Sequence, residues 1–227
     1  MTVPSPMNRR TVLAGSLTLG FGALIAGCSS SPPAGVPATQ PRDGPPPSAP
    51  ATASRVALVY FSRAGENYYY GDRINLKVGN TEVVSDIISA ALSADVYRIE
   101  AADPYPADYD ATVERNKREQ DQDARPVIAG ALPTLTGHDT VLLGSPIWNV
   151  RPPMIMRSFI EAVDLCGKTI LPFVTYAVSG MGSTVSDYTR LCPDSTIGEG
   201  LAIRGEEAHD ARSSVEDWLR RTRLLQG

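Results

Sequence analysis

Five short apolar runs alternate with stretches of helical periodicity from Arg55 onward, and this alternation leaves few architectures open. The runs occupy positions 56–61, 95–99, 140–143, 170–174 and 197–203. After the first, a polar stretch at 63–78 reads as a long loop. Gly79-Asn80-Thr81-Glu82 then opens a helix whose Val83, Val84, Ile87, Ile88, Ala91 and Leu92 share one face. Further helices are expected at about 108–125, 154–163, 185–191 and 207–223. The first of these is so rich in charge that it reads as a solvated face. Repeated strand–helix units of this length predict an α/β domain, a doubly wound parallel sheet with helices on both faces.

In such a sheet the carboxyl ends of the strands lie side by side, and ligands bind there. Three of those ends carry suitable loops. The first run stops at Ser62, the third runs into Ser145-Pro146-Ile147-Trp148, and the fourth passes Thr175 into Ser179-Gly180-Met181-Gly182-Ser183. A helix start and short hydroxyls hold a phosphate without cationic side chains. Ser62, Arg63 and Ala64 on one side and Gly79, Asn80 and Thr81 on the other therefore form a candidate phosphate site, split by an insertion at 66–78. Asn80 or Thr81 acting only as a helix cap is the plainer alternative. Gly180 and Gly182 would let backbone amides approach a ring edge; an ordinary glycine turn explains them equally well. Arg63 and Arg151 flank the expected pocket, either facing a ligand or lying solvated at the surface.

Ahead of this domain the chain changes character. Asn8-Arg9-Arg10 followed by the apolar stretch 17–26 has the layout of an export signal, too short to span a membrane comfortably. Arg9-Arg10 with Leu13 is similar to a twin-arginine signal, and Leu24-Ile25-Ala26-Gly27-Cys28 resembles a bacterial lipobox whose cysteine is lipidated. Acyl chains on Cys28 would anchor the mature chain, each buried methylene contributing about 0.8 kcal/mol. Residues 29–54 are crowded with Pro, Ala, Ser and Thr and read as a semi-extended tether. The expected organisation is thus 1–27 export signal, 28–54 tether and 55–227 folded domain. This places the domain outside the cytoplasmic membrane, on its outer face. The formal charge of −4, with no basic stripe interleaved with aromatics, argues against nucleic acid as a partner.

The stretch Tyr60-Phe61-Ser62-Arg63-Ala64-Gly65, the loop Pro146-Ile147-Trp148, and the tail Leu191-Cys192-Pro193 with Gly200-Leu201-Ala202-Ile203-Arg204-Gly205 resemble the flavodoxin-like proteins. The resemblance implies five parallel strands in the order 2-1-3-4-5 and a flavin mononucleotide, FMN, at the carboxyl edge of the sheet. It assigns Ser62, Arg63, Ala64, Gly79, Asn80 and Thr81 to the phosphate side. Pro146, Ile147, Trp148 and Asn149 then fall to the ring, with Tyr176 to Ser183, Ser179, Gly180 and Gly182 among them, read as the third wall. Trp148 lies where the family places an aromatic against the isoalloxazine. Many relatives carry a second tryptophan next in line, where this chain has Asn149.

Three function classes remain on these residues. The first is an FMN-dependent electron carrier or oxidoreductase tethered to the membrane, exchanging electrons with a redox partner protein or a quinone. The second is a binding module of the same fold without cofactor. The third is a hydrolase using Ser62 or Ser145 with Asp187 or Asp194 and His209, although neither serine sits in a Gly-x-Ser-x-Gly elbow. No side chain stands out as an acid, base or nucleophile for the flavin reading. Cys166 and Cys192 either form a disulfide or remain thiols, and without a Cys-x-x-Cys and with only two histidines no metal site is expected.

Overall fold

Strand β1, Arg55–Phe61, is buried along both faces from Val56 onward, as a central strand of a parallel sheet must be. Alternate side chains point to opposite faces. Val56, Leu58 and Tyr60 join one core cluster, whereas Ala57, Val59 and Phe61 join another. The computed structural model describes residues 55–226; the leader, Cys28 and the tether lie outside the described residues.

After β1 come β2 (Gly65–Tyr69), β3 (Asp72–Leu76), α1 (Asn80–Ala91), β4 (Asp95–Ile99) and α2 (Tyr109–Asp121). Then follow β5 (His138–Pro146), α3 (Met154–Ala162), β6 (Thr169–Tyr176) and α4 (Thr184–Leu191). The chain closes with β7 (Thr196–Ile197), β8 (Leu201–Arg204), a 3-10 helix (Gly205–Asp210) and α5 (Arg212–Arg221). The main sheet is parallel, ordered β4-β1-β5-β6, with β7 and β8 both pairing the outer edge of β6. Counting β7 and β8 as one interrupted strand gives 2-1-3-4-5, the expected order. Val84 and Ile88 of α1 with Val215, Trp218 and Leu219 of α5 cover one face. Ile155, Met156 and Phe159 of α3 with Tyr188 of α4 cover the other.

Three expectations need correction. The polar stretch at 63–78 is not a loop: β2 and β3 pair antiparallel from Gly65↔Leu76 to Tyr69↔Asp72. Their two-residue turn, Tyr70-Gly71, has φ positive at both positions, +46° and +95°, the geometry that matches strand twist in tight hairpins. Helix α2 is more than a solvated face. Its inner side buries Thr112, Asn116 and Glu119, and it docks through hydrogen bonds: the Tyr105 hydroxyl to Glu119 at 2.8 Å and Arg115 Nη1 to the Pro104 carbonyl at 3.0 Å. Burial, with Glu119 adding to it, pushes the Tyr105 phenol pKa up, so the ring donates its proton rather than losing it. Finally, the fifth strand breaks at 198–200. A side chain on Gly200 would run into the Met181 side chain, and the break turns the Glu199 carbonyl to accept from Trp218 Nε1 at 2.9 Å.

Candidate functional site

The chain leaves β1 at Ser62 and returns at Gly79, and the two points touch. Gly79 is the N-cap of α1 and offers no side chain to it. A Cβ there would lie 2.5 Å from the Arg63 carbonyl oxygen and closer still to Ser62 Oγ. Ser62 supplies the cap from across the gap, its Oγ accepting from the Glu82 amide at 3.1 Å. The two halves of the expected phosphate site therefore close into one, and the hairpin is looped out of it.

Thr81 is buried at the same helix start, its hydroxyl 2.7 Å from that of Thr175 at the end of β6. One hydroxyl proton bridges the pair and the other remains free to donate. The amides of Asn80 and Thr81 have no acceptor among the described residues. The start of a twelve-residue helix with two amides left unpaired favours negative charge. Gly205 backs this corner, because a Cβ on it would sit 2.5 Å from Asn80 Nδ2.

From here an open cleft runs along the sheet edge. Ser62, Arg63, Asn80 and Thr81 form one end, and Pro146, Ile147 and Trp148 line it from the loop after β5. Trp148 is held edge-on against Phe61 and Tyr105, with ring centroids 5.7 and 5.1 Å apart. Its amide and carbonyl close a tight turn onto Arg151. The carbonyl also accepts from Gln120 at 3.2 Å, so its orientation is fixed from three sides.

Several expected residues lie elsewhere. Ala64 faces a separate recess with Arg98 and Tyr105. Asn149 turns toward α2, donating to Gln120 at 2.8 Å, outside the cleft lining. Ser179, Gly180 and Gly182 do not line the cleft either. Gly182, with φ +52°, folds back against Val150, whose carbonyl oxygen a Cβ would overlap and whose carbonyl carbon would lie 2.9 Å from it. The Val150 carbonyl also accepts from the Ser183 amide at 2.8 Å. Of the expected third wall, Tyr176 and Ala177 line the cleft, joined by Thr175.

Arg63 lines the cleft, but its guanidinium is committed to carbonyls: Pro106 at 2.8 Å, Ala107 at 3.1 Å, and Glu66. Burial pulls its pKa below the usual arginine value, with Glu66 opposing. Arg151 is exposed and absent from the cleft lining.

Residues unnoticed in the sequence complete the rim. Asn67 and Tyr68 come from the hairpin, Tyr109 from the first turn of α2, and Glu206 from the 3-10 helix. The hairpin is tied on one side by Arg73, which forks onto Asp110 at 2.9 and 2.7 Å and covers the Tyr109 ring at 4.6 Å. Glu66 adds its amide to the Ala107 carbonyl at 2.7 Å. On the other side the Tyr70 amide donates to Glu206 Oε1 at 3.0 Å. A charge fork and a Tyr-rich run were the available signals.

The other candidate chemistry does not assemble. Ser145 is fully buried, Ser62 Oγ caps α1, and Asp187 accepts from Ser183 and Arg190. No hydrogen bond joins either serine to His209 among the described residues. Cys166 is exposed and Cys192 buried, both as free thiols. Among the described residues no group of three or more His, Cys, Asp or Glu could hold a metal ion, and no helix is long and apolar enough to cross a membrane.

No curated protein matches the chain. Among solved structures, one assigned as a flavoprotein from Bacteroides eggerthii is 27% identical with a TM-score of 0.60, covering 74% of this chain and 97% of that one. A second, from Bacteroides uniformis, is 25% identical with a TM-score of 0.59 over 74% and 99%. A flavoprotein from Lactobacillus acidophilus, solved in complex with FMN, shares the fold at 16% identity and a TM-score of 0.51, over 71% and 99%. The family model described as flavodoxin matches residues 76–222, from the end of the hairpin through α5. With the sheet order, the cleft at its carboxyl edge and that match in agreement, the chain belongs to the flavodoxin family.

Proposed function

We propose that the domain binds FMN and moves electrons, as a carrier or as an oxidoreductase. One observation carries this reading: a helix start with two amides left unpaired and a fixed aromatic rim open into the same cleft. The phosphate is read at the amides of Asn80 and Thr81 with the hydroxyls of Ser62 and Thr81, where the helix dipole favours an anion. The isoalloxazine is read against Trp148, with Tyr68, Tyr109 and Tyr176 around it. Family membership supports a flavin, and FMN in the Lactobacillus acidophilus relative supports the mononucleotide. Bound there, FMN supplies one- and two-electron redox chemistry. The chain's own residues position the ring, shield one edge from water and leave the hairpin side for a partner. None of them is assigned an acid, base or nucleophilic role.

The second half of the proposal is location. The twin-arginine-like leader, the lipobox at Cys28 and the Pro-rich tether support a domain anchored to the outer face of the cytoplasmic membrane. A quinone or a redox protein fits that location better than nicotinamide, a cytoplasmic pool. Removal of the leader takes two arginines with it, leaving an acidic chain that favours a basic protein partner.

The test is the visible spectrum of protein purified from its native membrane, then a titration with FMN. A flavin spectrum, or saturable one-to-one binding by the purified protein, is expected; a colourless protein that FMN does not titrate refutes the reading. Cys28→Ala is expected to release the protein from the membrane fraction, and retention would refute the anchor.

A further inference from the structure

The hairpin is amphipathic in the wrong sense. From Arg73 to Val78 the chain alternates Arg, Ile, Asn, Leu, Lys, Val, the period of a half-buried strand whose apolar set faces the core. Here it is Arg73 and Glu66 that turn to the body of the domain: Arg73 forks onto Asp110, and Glu66 accepts from the Tyr109 amide at 3.2 Å. The apolar set faces out. Tyr69 shares the face of Ile74, because Asn67, two residues before it, pairs with Ile74. Tyr69, Tyr70, Ile74 and Val78 are each at least 40% exposed, and the two tyrosine rings meet edge-on at 5.0 Å. None of the four lines the cleft. Single exposed apolar residues are ordinary, but a set of them grouped on one strand face marks a surface that another molecule covers.

Charge decides what covers it. Asp72 pairs with Tyr69 across the turn, and Glu206 accepts from the Tyr70 amide. Desolvation first, then the charges of Glu207 and Glu206, raise the Tyr70 phenol pKa against Arg204, so both carboxylates stand beside that ring. The cations nearby are committed or turned away: Arg73 to Asp110, Arg204 to the Tyr176 ring at 5.8 Å, and Lys77 to the opposite face by alternation. A second copy of the chain would bring the same carboxylates, and an anionic lipid surface would bring phosphates; like charges repel in both cases. The chain's own residues 29–54 do not complement the face either, since Val36 is their one large apolar residue and Arg42 is cancelled by Asp43. Four side chains are also few beside the roughly 20–30 residues per side of a standard interface, which suits a brief encounter rather than a permanent subunit.

We propose that the outer face of the hairpin is the docking surface for a basic protein, whose apolar residues cover Tyr69, Tyr70, Ile74 and Val78 while its lysines or arginines meet Asp72 and Glu207. The face lies outside the cleft; that the docked protein exchanges electrons with what the cleft holds rests on the flavin reading. Tyr68, next to Tyr69, lines the cleft, so a single strand separates the two.

The test is a calorimetric titration of the full chain, with and without FMN, at low ionic strength. The probes are cytochrome c, a small basic haem protein, and cytochrome c with its lysines acetylated, which keeps the shape and removes the charge. Native cytochrome c is expected to bind, and the acetylated form at least about tenfold more weakly. Tyr69→Ser with Ile74→Ser should weaken native cytochrome c about tenfold, and Asp72→Asn with Glu207→Gln about fivefold, the second loss vanishing at high salt. Asp164→Asn with Asp194→Asn makes the same change in charge at the amino edge of the sheet and should shift binding less than about twofold. The FMN titration should be the same in all three variants. A wild-type chain that does not bind cytochrome c, hairpin variants that bind it as the parent does, or a control pair that weakens it equally overturns the inference and leaves flavin binding intact. A chain that takes up no FMN yet loses cytochrome c on the hairpin substitutions refutes the flavin reading and leaves the docking surface standing.

Discussion

Adding one methyl group at Gly79 tests how tightly the two halves of the site are pressed together. Gly79 has φ −72° and ψ 148°, which alanine adopts without strain, so the substitution isolates packing from backbone conformation. Two effects oppose each other. Alanine restricts the unfolded chain and would stabilise by about 0.4–1 kcal/mol if the methyl group had room. It has none, since the Arg63 carbonyl oxygen and carbon lie 2.5 and 2.7 Å from its position and Ser62 Oγ is nearer still. Overpacking of this kind costs about 1–3 kcal/mol, and displacing Ser62 from the Glu82 amide adds a lost cap of about 0.5–2 kcal/mol. The steric terms win, and Gly79→Ala is expected to destabilise by about 1–3 kcal/mol net. The assay is urea unfolding followed by tryptophan fluorescence, read as a shift in midpoint at unchanged slope. Ser62→Ala in the same background removes one clash but not the backbone one, so the double variant should recover only part of the loss. A Gly79→Ala protein as stable as the parent, or more so, would refute the close approach of Ser62–Arg63 to Gly79.

Other changes probe separate parts of the structure. Val150 is β-branched at φ +68° beside Asn149 at +50°; Val150→Gly should raise the urea midpoint by about 1 kcal/mol of relieved strain, and a lower midpoint would contradict it. Arg73 holds the Asp110 carboxyl below its usual 3.8 through a side-chain hydrogen bond, so the pair's contribution is complete above pH 3.8 and fades as pH falls through the depressed value. Asp110→Asn should therefore lower stability at neutral pH, with the gap to wild type closing as pH falls below 3.8 and through the depressed value; a gap constant with pH would rule out the linkage. Cys166 should react with an aromatic disulfide in the native protein, whereas Cys192, buried with its thiol pKa pushed up, should react only on unfolding. Equal native reactivity would contradict this burial.

The parts of the fold legible in the sequence were those whose side chains obey a simple period. Strand β1 and helix α1 stand where an apolar run and a helical stripe placed them, because their burial follows directly from that pattern. The hairpin escaped because its strands carry Glu66, Asn67, Asp72 and Arg73 and bury almost nothing, so hydrophobic alternation is silent. Its specification lies in the Tyr70-Gly71 turn and in ties to elements distant in sequence. Helix α2 stands where it was expected, but its buried side escaped for a related reason: that face is polar and is satisfied by hydrogen bonds to Tyr105 and the Pro106 carbonyl. At the site, Ser62, Thr81 and Trp148 were legible because strand ends and helix starts fix their position. Gly180 and Gly182 misled. Both serve turns with positive φ: Gly182 packs against Val150 and not the cleft, and a side chain on Gly180 would meet nothing within 4 Å. Tyr109 and Glu206 were invisible, since only the folded chain brings α2 and the 3-10 helix to one rim.

The interrupted fifth strand also governs what the sheet does toward other molecules. A long, flat border of unpaired amides and carbonyls is a template on which a second chain can grow. Here that border consists of a two-residue and a four-residue piece separated by Gly198-Glu199-Gly200, with the intervening carbonyl already taken by the Trp218 indole. A neighbour laid along it would find no continuous ladder to extend, so the kink acts as a built-in guard against clumping.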